Sequence, residues 1–427
     1  MSGQPRVLTP EQLALREERR RKRAEPKGDY VQSLQKGSIV PRQWRSLAAP
    51  DPGSRSLKIL TWNLLAQCLI RRELFPNSDC LRASQREHMT FEELFTPRAD
   101  VLCLQETDRS AKFRPALDKA GYDYHLAAGP RKKHGCLIAW RRDLFTQTTA
   151  RVLYYDNENV HGKGDPRFRR GASFRAKNIA NIVALKRSDG SGEGFVVATT
   201  HLFWHPASLG ILQREALRFR TLYAQPTWPI LLAGDFNFSP DSPAYALLLR
   251  MPLTPTHTAR LAASRVVHIS VDPTILLTEP TIPDEDAEMD PDRIITNARP
   301  ARPDDGLLDD AGLLDLYASS PPVRSAYDDG QRALIAGAQT CGARLELDPA
   351  QRGAFEPEYT NYTSYWKLTL DYIFVIDPPG KRSAVLGLLE LPPSTALEPG
   401  LPRKGVSSSD HLSLCAELQW TAEPAPA

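Results

Sequence analysis

The sequence predicts an α/β layered domain, with strands and helices interleaved along most of its 427 residues. Three observations predict it. Nearly continuous apolar runs of strand length recur along the chain. Segments with apolar residues at helical spacing separate several of them. No internal repeat is visible, in particular no leucine-rich one.

Residues 1–54 read as a basic, disordered tail. Arg16–Arg23 (REERRRKR) is dense in charge, and Pro26, Gly28, Pro50, Pro52 and Gly53 follow. Such a stretch buries too little apolar area to offset the entropy of ordering. Arg19–Arg23 is either a solvated run or a nuclear address or nucleic-acid arm.

The folded region, 55–421, opens on the strand LKILTWNLLA from Leu57. A helix is expected over Arg82–Phe95, then ADVLCLQE, from Ala99, as a strand buried on both faces. Ser110–Ala120 is a helix; HGCLIAWRR (from His134), NIANIVALKR (from Asn178) and GFVVATTHL (from Gly194) are strands. Leu212, Ala216, Phe219 and Tyr223 mark a helix over Leu209–Ala224. PILLAGDFN, from Pro229, is a strand, and Asp241 or Ser242 caps a short helix through Leu249. From 252 to 355 proline and acid are frequent and no period persists, which reads as an insertion, partly disordered, with a helix near Arg332–Ala338. KLTLDYIFVI (from Lys367), SAVLGLLEL (from Ser383) and HLSLCAELQW (from His411) are strands, and 422–427 is a loose end.

A hydrophobic content of 41% and a charged content of 25% are those of a soluble globular protein. The net charge is only +3, so any nucleic-acid groove is local. The six cysteines include no C-x-x-C pair, which argues against a zinc knuckle; Cys103, Cys136 and Cys415 read as core residues of a reduced protein. There is no signal peptide and no apolar run of about 18 residues to span a membrane, so a cytoplasmic or nuclear location is expected.

Polar chemistry gathers at the strand ends. Asn63 interrupts the first strand, Gln105 and Glu106 end the second, and His201 ends GFVVATTHL. Asp235 and Asn237 end PILLAGDFN, Asp371 sits in LDYIF, and Asp410 and His411 head the last strand. Singly, each has a structural explanation: a turn cap, a helix-opening acid, a core histidine, an Asx turn. Together they do not, because buried ionised acids are costly without a metal or partner. Acids and amides suit Mg²⁺ or Mn²⁺, and beside histidines they are the parts of metal-assisted phosphoryl transfer. Zinc is disfavoured by the lack of soft ligands. No G-x-S-x-G elbow and no G-x-x-x-x-G-K-[ST] loop is present.

In this order WN, QE, THL, GDFN, LDYIF and SDHLSL, over residues 57–420, resemble the endonuclease/exonuclease/phosphatase superfamily. LTWNLLAQCL, DVLCLQE and SDHLSL look like its deadenylase/nocturnin/Angel branch; THLFWHP (Thr200–Pro206) and HGCLIAWRR look like its fungal Ngl-type RNA exonucleases. The resemblance implies a four-layer α/β sandwich of two packed mixed sheets (DNase I-like), with the site at one sheet edge. It implies a Mg²⁺-dependent 3′–5′ exonuclease of single-stranded RNA, with Mn²⁺ as a substitute and ribosomal RNA 3′ ends, such as that of 5.8S, among its substrates. Glu106 would be the main metal ligand, and Asn63 would hold water on the metal or the phosphate. Asp235 and Asn237 would position or deprotonate the attacking water and assist a metal. His201 would donate to a non-bridging phosphate oxygen. Asp371 would orient His411, which would meet the phosphate or a second metal beside Asp410.

Two departures stand out: the acid-rich gap between GDFN and LDYIF is long, and His134 stands where related enzymes often carry an aspartate. A poly(A)-specific deadenylase, a nucleotide or RNA-end phosphatase and an inactive RNA-binding scaffold are the alternatives. Trp62, Phe203, Trp204, Tyr362, Tyr365 and Trp366 are candidates to stack on bases, against core packing. Arg131, Lys132, Lys133, Arg141, Arg142, Arg167, Arg169 and Arg170 are candidates to track phosphates, against solvated turns.

Overall fold

Alternation along the first long strand sets the layers. In Ser56–Asn63, Leu57 and Ile59 enter one core while Leu60 and Trp62 enter another, as the period of two requires. The structure, a computed structural model, describes residues 39–160, 176–202, 206–268, 298–334 and 339–422.

In chain order the strands are β1 (Trp44–Ser46), β2 (Ser56–Asn63), β3 (Val101–Thr107), β4 (Tyr122–Ala128), β5 (Gly135–Arg141), β6 (Phe145–Tyr154), β7 (Ile179–Arg187) and β8 (Gly194–His201). They continue with β9 (Ile230–Asp235), β10 (Val266–His268), β11 (Ala298–Pro300), β12 (Arg324–Ser325), β13 (Asn361–Tyr362), β14 (Lys367–Leu368), β15 (Asp371–Ile376), β16 (Lys381–Leu389) and β17 (Leu414–Ala422). The helices that matter below are α1 (Ala83–Phe95), α2 (Ser110–Lys119), α3 (Pro206–Tyr223), α4 (Pro243–Leu248), α5 (Pro255–Ser264), α6 (Asp310–Ala318) and α7 (Ala326–Arg332).

A seven-stranded sheet runs β1-β16-β17-β2-β3-β5-β4 and a six-stranded sheet runs β12-β15-β9-β8-β7-β6. Both are mixed: β2–β3 and β8–β9 are the parallel pairs. The inner faces share one core, in which Ile59, Val101 and Ile138 join Val183, Val197, Leu231 and Ile373. Outside the first sheet Phe91 and Leu94 of α1 and Phe113 and Leu117 of α2 cover Leu60, Trp62 and Leu102. Outside the second, Leu212 and Phe219 of α3, Leu247 of α4 and Leu313 of α6 cover Ile230, Leu232 and Phe374. The result is the four-layer sandwich that the resemblance implied.

This topology aims the polar strand ends at one edge. The parallel pairs carry Asn63 and Glu106 at the ends of β2 and β3, and His201 and Asp235 at the ends of β8 and β9. Asp371 opens β15, which runs antiparallel to β9 and pairs with Asp235 itself. Asp410 and His411 precede β17, which runs antiparallel to β2, and so arrive beside Asn63.

Several expectations need correction. The tail reading fails at its C-terminal end: Trp44–Ser46 pairs with β16, and the Arg42 guanidinium bonds Glu390 O at 2.8 Å and Ser413 Oγ at 2.7 Å. Burial of those polar atoms against the sheet orders a segment that looked too polar to fold. Within 252–355, α5, α6 and α7 are ordered, each begun by a side-chain cap from Thr254, Asp309 or Ser325. They are too short for a period to show in sequence, but Leu261, Leu313 and Leu316 join the outer core. The expected helix at Arg332–Ala338 is instead Ala326–Arg332, and 335–338 lie outside the described residues. KLTLDYIFVI splits into β14 and β15, because Thr360 Oγ1 takes the amides of Leu370 (2.8 Å) and Asp371 (3.0 Å) from the ladder. The last strand starts at Leu414 rather than His411. Strands β4 and β6, each at the edge of its own sheet, were not foreseen.

Arg16–Arg23, Arg167, Arg169, Arg170, Phe203, Trp204, residues 269–297 and 423–427 lie outside the described residues. Among the described residues, no helix is long and apolar enough to cross a membrane.

Candidate active site

Asn63, Glu106, His201, Asp235, Asn237, Asp410 and His411 line one cleft of about 360 Å³. Asp371, the remaining residue expected at the site, lies fully buried behind His411 and does not line the cleft.

The centre of the cluster is the Asn63 amide. Its Nδ2 donates to Asp235 Oδ2 at 2.9 Å and to Glu106 Oε1 at 3.2 Å. Its Oδ1 accepts from Leu65 N at 3.1 Å, which fixes the orientation of the amide. The other Glu106 oxygen accepts from Ala66 N at 2.7 Å. One amide group thus holds two carboxylates from different sheets.

Glu106 reaches the cleft because β3 is irregular there. The β3–β5 register shifts between Leu104 and Thr107, and Glu106 has a φ of 54°. A bulge re-aims side chains, and two neighbours can then serve different ends. Gln105 turns between the sheets and donates to Thr61 Oγ1 (3.1 Å) and Thr199 Oγ1 (2.8 Å), while Glu106 faces the cleft. Asn237 also has a positive φ, 53°, just beyond β9. Left-handed non-glycine backbone of this kind is costly and tends to sit at functional sites.

Two imidazoles flank Asp235. Asn237 Nδ2 donates to Leu202 O at 2.9 Å and to His201 Nε2 at 3.0 Å. The second bond leaves Nε2 as acceptor and puts the His201 proton on Nδ1, which faces Glu106 Oε1 at 3.7 Å. His201 Nε2 is 3.6 Å and His411 Nε2 is 3.7 Å from Asp235 Oδ2. His411 Nδ1 donates to Asp371 Oδ2 at 2.8 Å. Burial opposes charge on His411, but the Asp371 and Asp235 carboxylates outweigh it and hold the imidazole well above its ordinary range. Burial pushes the Asp371 carboxyl up to about 6, against the pull of His411.

Other residues complete the frame. Asn361 donates to Asp410 Oδ2 at 3.3 Å, and Ser409 Oγ donates to Asn63 O at 2.6 Å. Asn178 donates to His201 O at 3.0 Å and accepts from Lys132 Nζ at 2.6 Å. Arg86, fully buried on α1, donates to backbone carbonyls on both sides of the cluster. Apart from Lys132, a phosphate candidate that Asn178 engages instead, nothing in the residue pattern singled these out: polar residues in loops and a lone arginine in a helix look solvated until the fold surrounds them.

The stacking and phosphate candidates divide. Trp62 and Tyr362 are buried, the first donating to His411 O and the second to Glu398, so neither can stack on a base. Tyr365 and Trp366 are 60% and 44% exposed, and Trp366 lines the cleft. Lys133 and Arg71 line it too. Arg141 and Arg142 are engaged by Asp143 and Asp118 on the surface and do not line it.

The donor set suits a hard divalent cation. Asp235, Asp371 and His411 bring ligand atoms within 4.8 Å of one another. Asp371, however, is sealed from the cleft and committed to His411 Nδ1, whereas Glu106 and Asn63 face the cleft beside Asp235. Crowded carboxylates beside an amide fit magnesium or manganese better than zinc, and Cys68, which also lines the cleft, is not part of the carboxylate and imidazole cluster. The oxygen-rich side at Glu106, Asn63 and Asp235 is therefore the better cation site than the triad behind it.

The profile of the Endonuclease/Exonuclease/phosphatase family matches residues 60–411. A probable RNA exonuclease of Schizosaccharomyces pombe is 27% identical over 398 residues, covering 86% of this chain and 77% of that one. RNA exonuclease NGL2 of Saccharomyces cerevisiae is 26% identical over 433 residues, covering 87% of this chain and 79% of that one. Among solved structures, ANGEL2, a 2′,3′-cyclic phosphatase in complex with adenosine-2′,3′-vanadate, superposes with a TM-score of 0.56 at 19% identity, covering 90% of this chain and 99% of that one, and so shares the fold. With its motifs gathered at one sandwich edge and the profile spanning most of its length, the chain belongs to the endonuclease/exonuclease/phosphatase family and is a hydrolytic enzyme of the nuclease and phosphodiesterase class.

Proposed function

We propose that this chain is a magnesium-dependent exonuclease that shortens single-stranded RNA from its 3′ end. The observation that carries the reading is the Glu106–Asn63–Asp235 chain, which gathers two carboxylates on one amide at the floor of an open cleft. Both sequence relatives described above bear the name RNA exonuclease, which supports RNA as the substrate. Family members are generally dependent on a divalent metal. Trp366 offers a base-stacking face at the cleft, and Lys133 and Arg71 offer cations for flanking phosphates.

Glu106 and Asp235 would hold the magnesium ion, with Asn237 as a further donor and the Asn63 amide keeping the two carboxylates together through its Nδ2, and a bound ion would offset the charge that develops on the phosphoryl oxygens. Asp235 orients the attacking water and is placed to draw its proton, with an imidazole on either side of its Oδ2. Asn237 keeps His201 turned so that its N–H faces the cleft. His201 and His411 donate to the non-bridging oxygens. Asp371 holds the His411 ring in place through Nδ1. Water attacks phosphorus, the 3′ oxygen of the preceding nucleotide leaves, and a nucleoside 5′-monophosphate is released.

The test is incubation with RNA labelled at either end, with Mg²⁺ and then with EDTA. Released mononucleotides from the 3′ label, a ladder from the 5′ label and silence in EDTA are expected. Intact oligomer with free phosphate would replace this reading by a phosphatase, and inertness of every substrate would remove it. A ribosomal 3′ extension and poly(A), compared in the same assay, separate RNA processing from deadenylation.

A further inference from the structure

Arg86 occupies a position that neither motif spacing nor helix pattern reveals. It lies on α1 and is fully buried, and its guanidinium donates to backbone carbonyls rather than to a carboxylate among the described residues. Its Nη1 donates to Ser408 O at 2.7 Å and to Leu64 O at 3.2 Å; its Nη2 donates to Leu65 O at 2.8 Å. A buried guanidinium is costly and persists only where its surroundings satisfy it. Here backbone carbonyls from two separate loops engage both terminal nitrogens, while the buried Nε has no hydrogen-bond partner.

Those two loops carry the site. Leu64 and Leu65 follow Asn63 directly, Leu65 sits at a φ of 55°, and its amide grips Asn63 Oδ1. The next amide, that of Ala66, grips Glu106 Oε2. On the other side, Ser408 leads into Ser409, Asp410 and His411, and Ser409 Oγ closes back onto Asn63 O. Thr90, one turn along α1, donates to Ser408 Oγ at 2.8 Å, so the same helix face holds this loop twice. The carbonyls that Arg86 engages therefore set the peptide planes whose amides orient Asn63 and Glu106, and it ties them to the loop that delivers Asp410 and His411.

We propose that Arg86 is a positioning residue that locks the Asn63 loop and the Asp410–His411 loop into one register, and so sets the geometry of the cation-binding carboxylate and amide. Burial, and then neighbouring Arg109, lower its pKa to about 10, so it stays charged at neutral pH. Lysine cannot replace it, because an ammonium lacks the planar fork that meets carbonyls on two loops at once.

The inference rests on the hydrolytic activity of the family rather than on RNA as substrate, and its test has a readout that needs no turnover. R86A and R86K are compared with the parent chain by thermal melting, by Mn²⁺ binding followed by electron paramagnetic resonance, and by hydrolysis of labelled RNA and of bis(p-nitrophenyl) phosphate. At temperatures where the variants are folded, Mn²⁺ affinity should fall about tenfold or more and kcat about a hundredfold, with a smaller change in KM. Millimolar guanidinium should recover part of the R86A loss, while sodium chloride and urea at equal concentration should not. A folded variant with parental Mn²⁺ affinity and kcat would overturn the proposal. So would failure of both variants to fold, which would assign Arg86 to the core alone. Loss of Mn²⁺ affinity in the variants, beside a parent chain that binds Mn²⁺ but cleaves no RNA, would sustain the proposal while removing the substrate reading.

Discussion

His411 is held from behind by Asp371, whose carboxylate accepts from Nδ1 at 2.8 Å while its backbone pairs in register with Asp235 across β15 and β9. One residue thus links the imidazole of one sheet to the candidate base of the other. Asp371→Asn keeps the shape but takes away the anion that favours the Nδ1 proton. The expected result is a loss of about 10- to 100-fold in kcat with KM nearly unchanged, read from steady-state hydrolysis. A parental kcat in D371N would remove Asp371 from the site.

Glu106 and Asp235 crowd one amide donor, so the cluster favours a bound cation over the empty state. Glu106→Gln should abolish turnover and also the upward shift in melting temperature that Mg²⁺ or Mn²⁺ gives the parent chain. Without added metal the variant should melt no lower than the parent, because a like-charge contact has been relieved. Differential scanning fluorimetry with and without Mn²⁺ checks both halves.

Among the described residues, Trp366 is the exposed aromatic that lines the cleft. Trp366→Ala should raise KM for single-stranded RNA about tenfold, since stacking on one base is worth ~1–3 kcal/mol. It should leave hydrolysis of bis(p-nitrophenyl) phosphate unchanged. Equal losses on both substrates would count against stacking.

Away from the cleft, Glu356 is fully buried and accepts from Tyr245 Oη at 2.8 Å. Burial, and then Asp328, push its carboxyl from 4.5 up to about 8. The folded chain keeps this proton while the unfolded chain loses it, so the stability it contributes is complete below pH 4.5 and is lost as pH rises toward 8. Glu356→Gln should therefore gain on the parent across that window, by on the order of a few kcal/mol at its upper end, and by little near pH 4.5. Urea melts at several pH values measure the gap; one that narrows with rising pH would contradict the assignment.

The strand ends were legible because each pairs an apolar run with a polar residue that a buried strand does not tolerate without a task. Hence Asn63, Glu106, His201, Asp235, Asn237, Asp410 and His411 could be picked out, and the structure brings them to one cleft with Asp371 behind it. The rest was hidden for physical reasons. Strand β6 (FTQTTARVLY) is half exposed at a sheet edge, so it lacks the apolar content that marked its neighbours. Helices α5 to α7 take their stability from caps and from contacts made far along the chain. Trp44 looked like part of a tail because its partners, Gly387 and Lys58, come from other strands. Arg86 sits among Gln85, Glu87 and His88, where composition alone suggests a solvated helix face.

The central claim is that Glu106 and Asp235, held together by the Asn63 amide, grip a divalent cation, and an anomalous difference map from crystals soaked in Mn²⁺ tests it most directly. The expected result is a peak about 2.0–2.3 Å from a Glu106 carboxylate oxygen, inside the cleft and shared with Asp235. Peaks confined to surface acids, with Glu106 uncoordinated at saturating Mn²⁺, would contradict it.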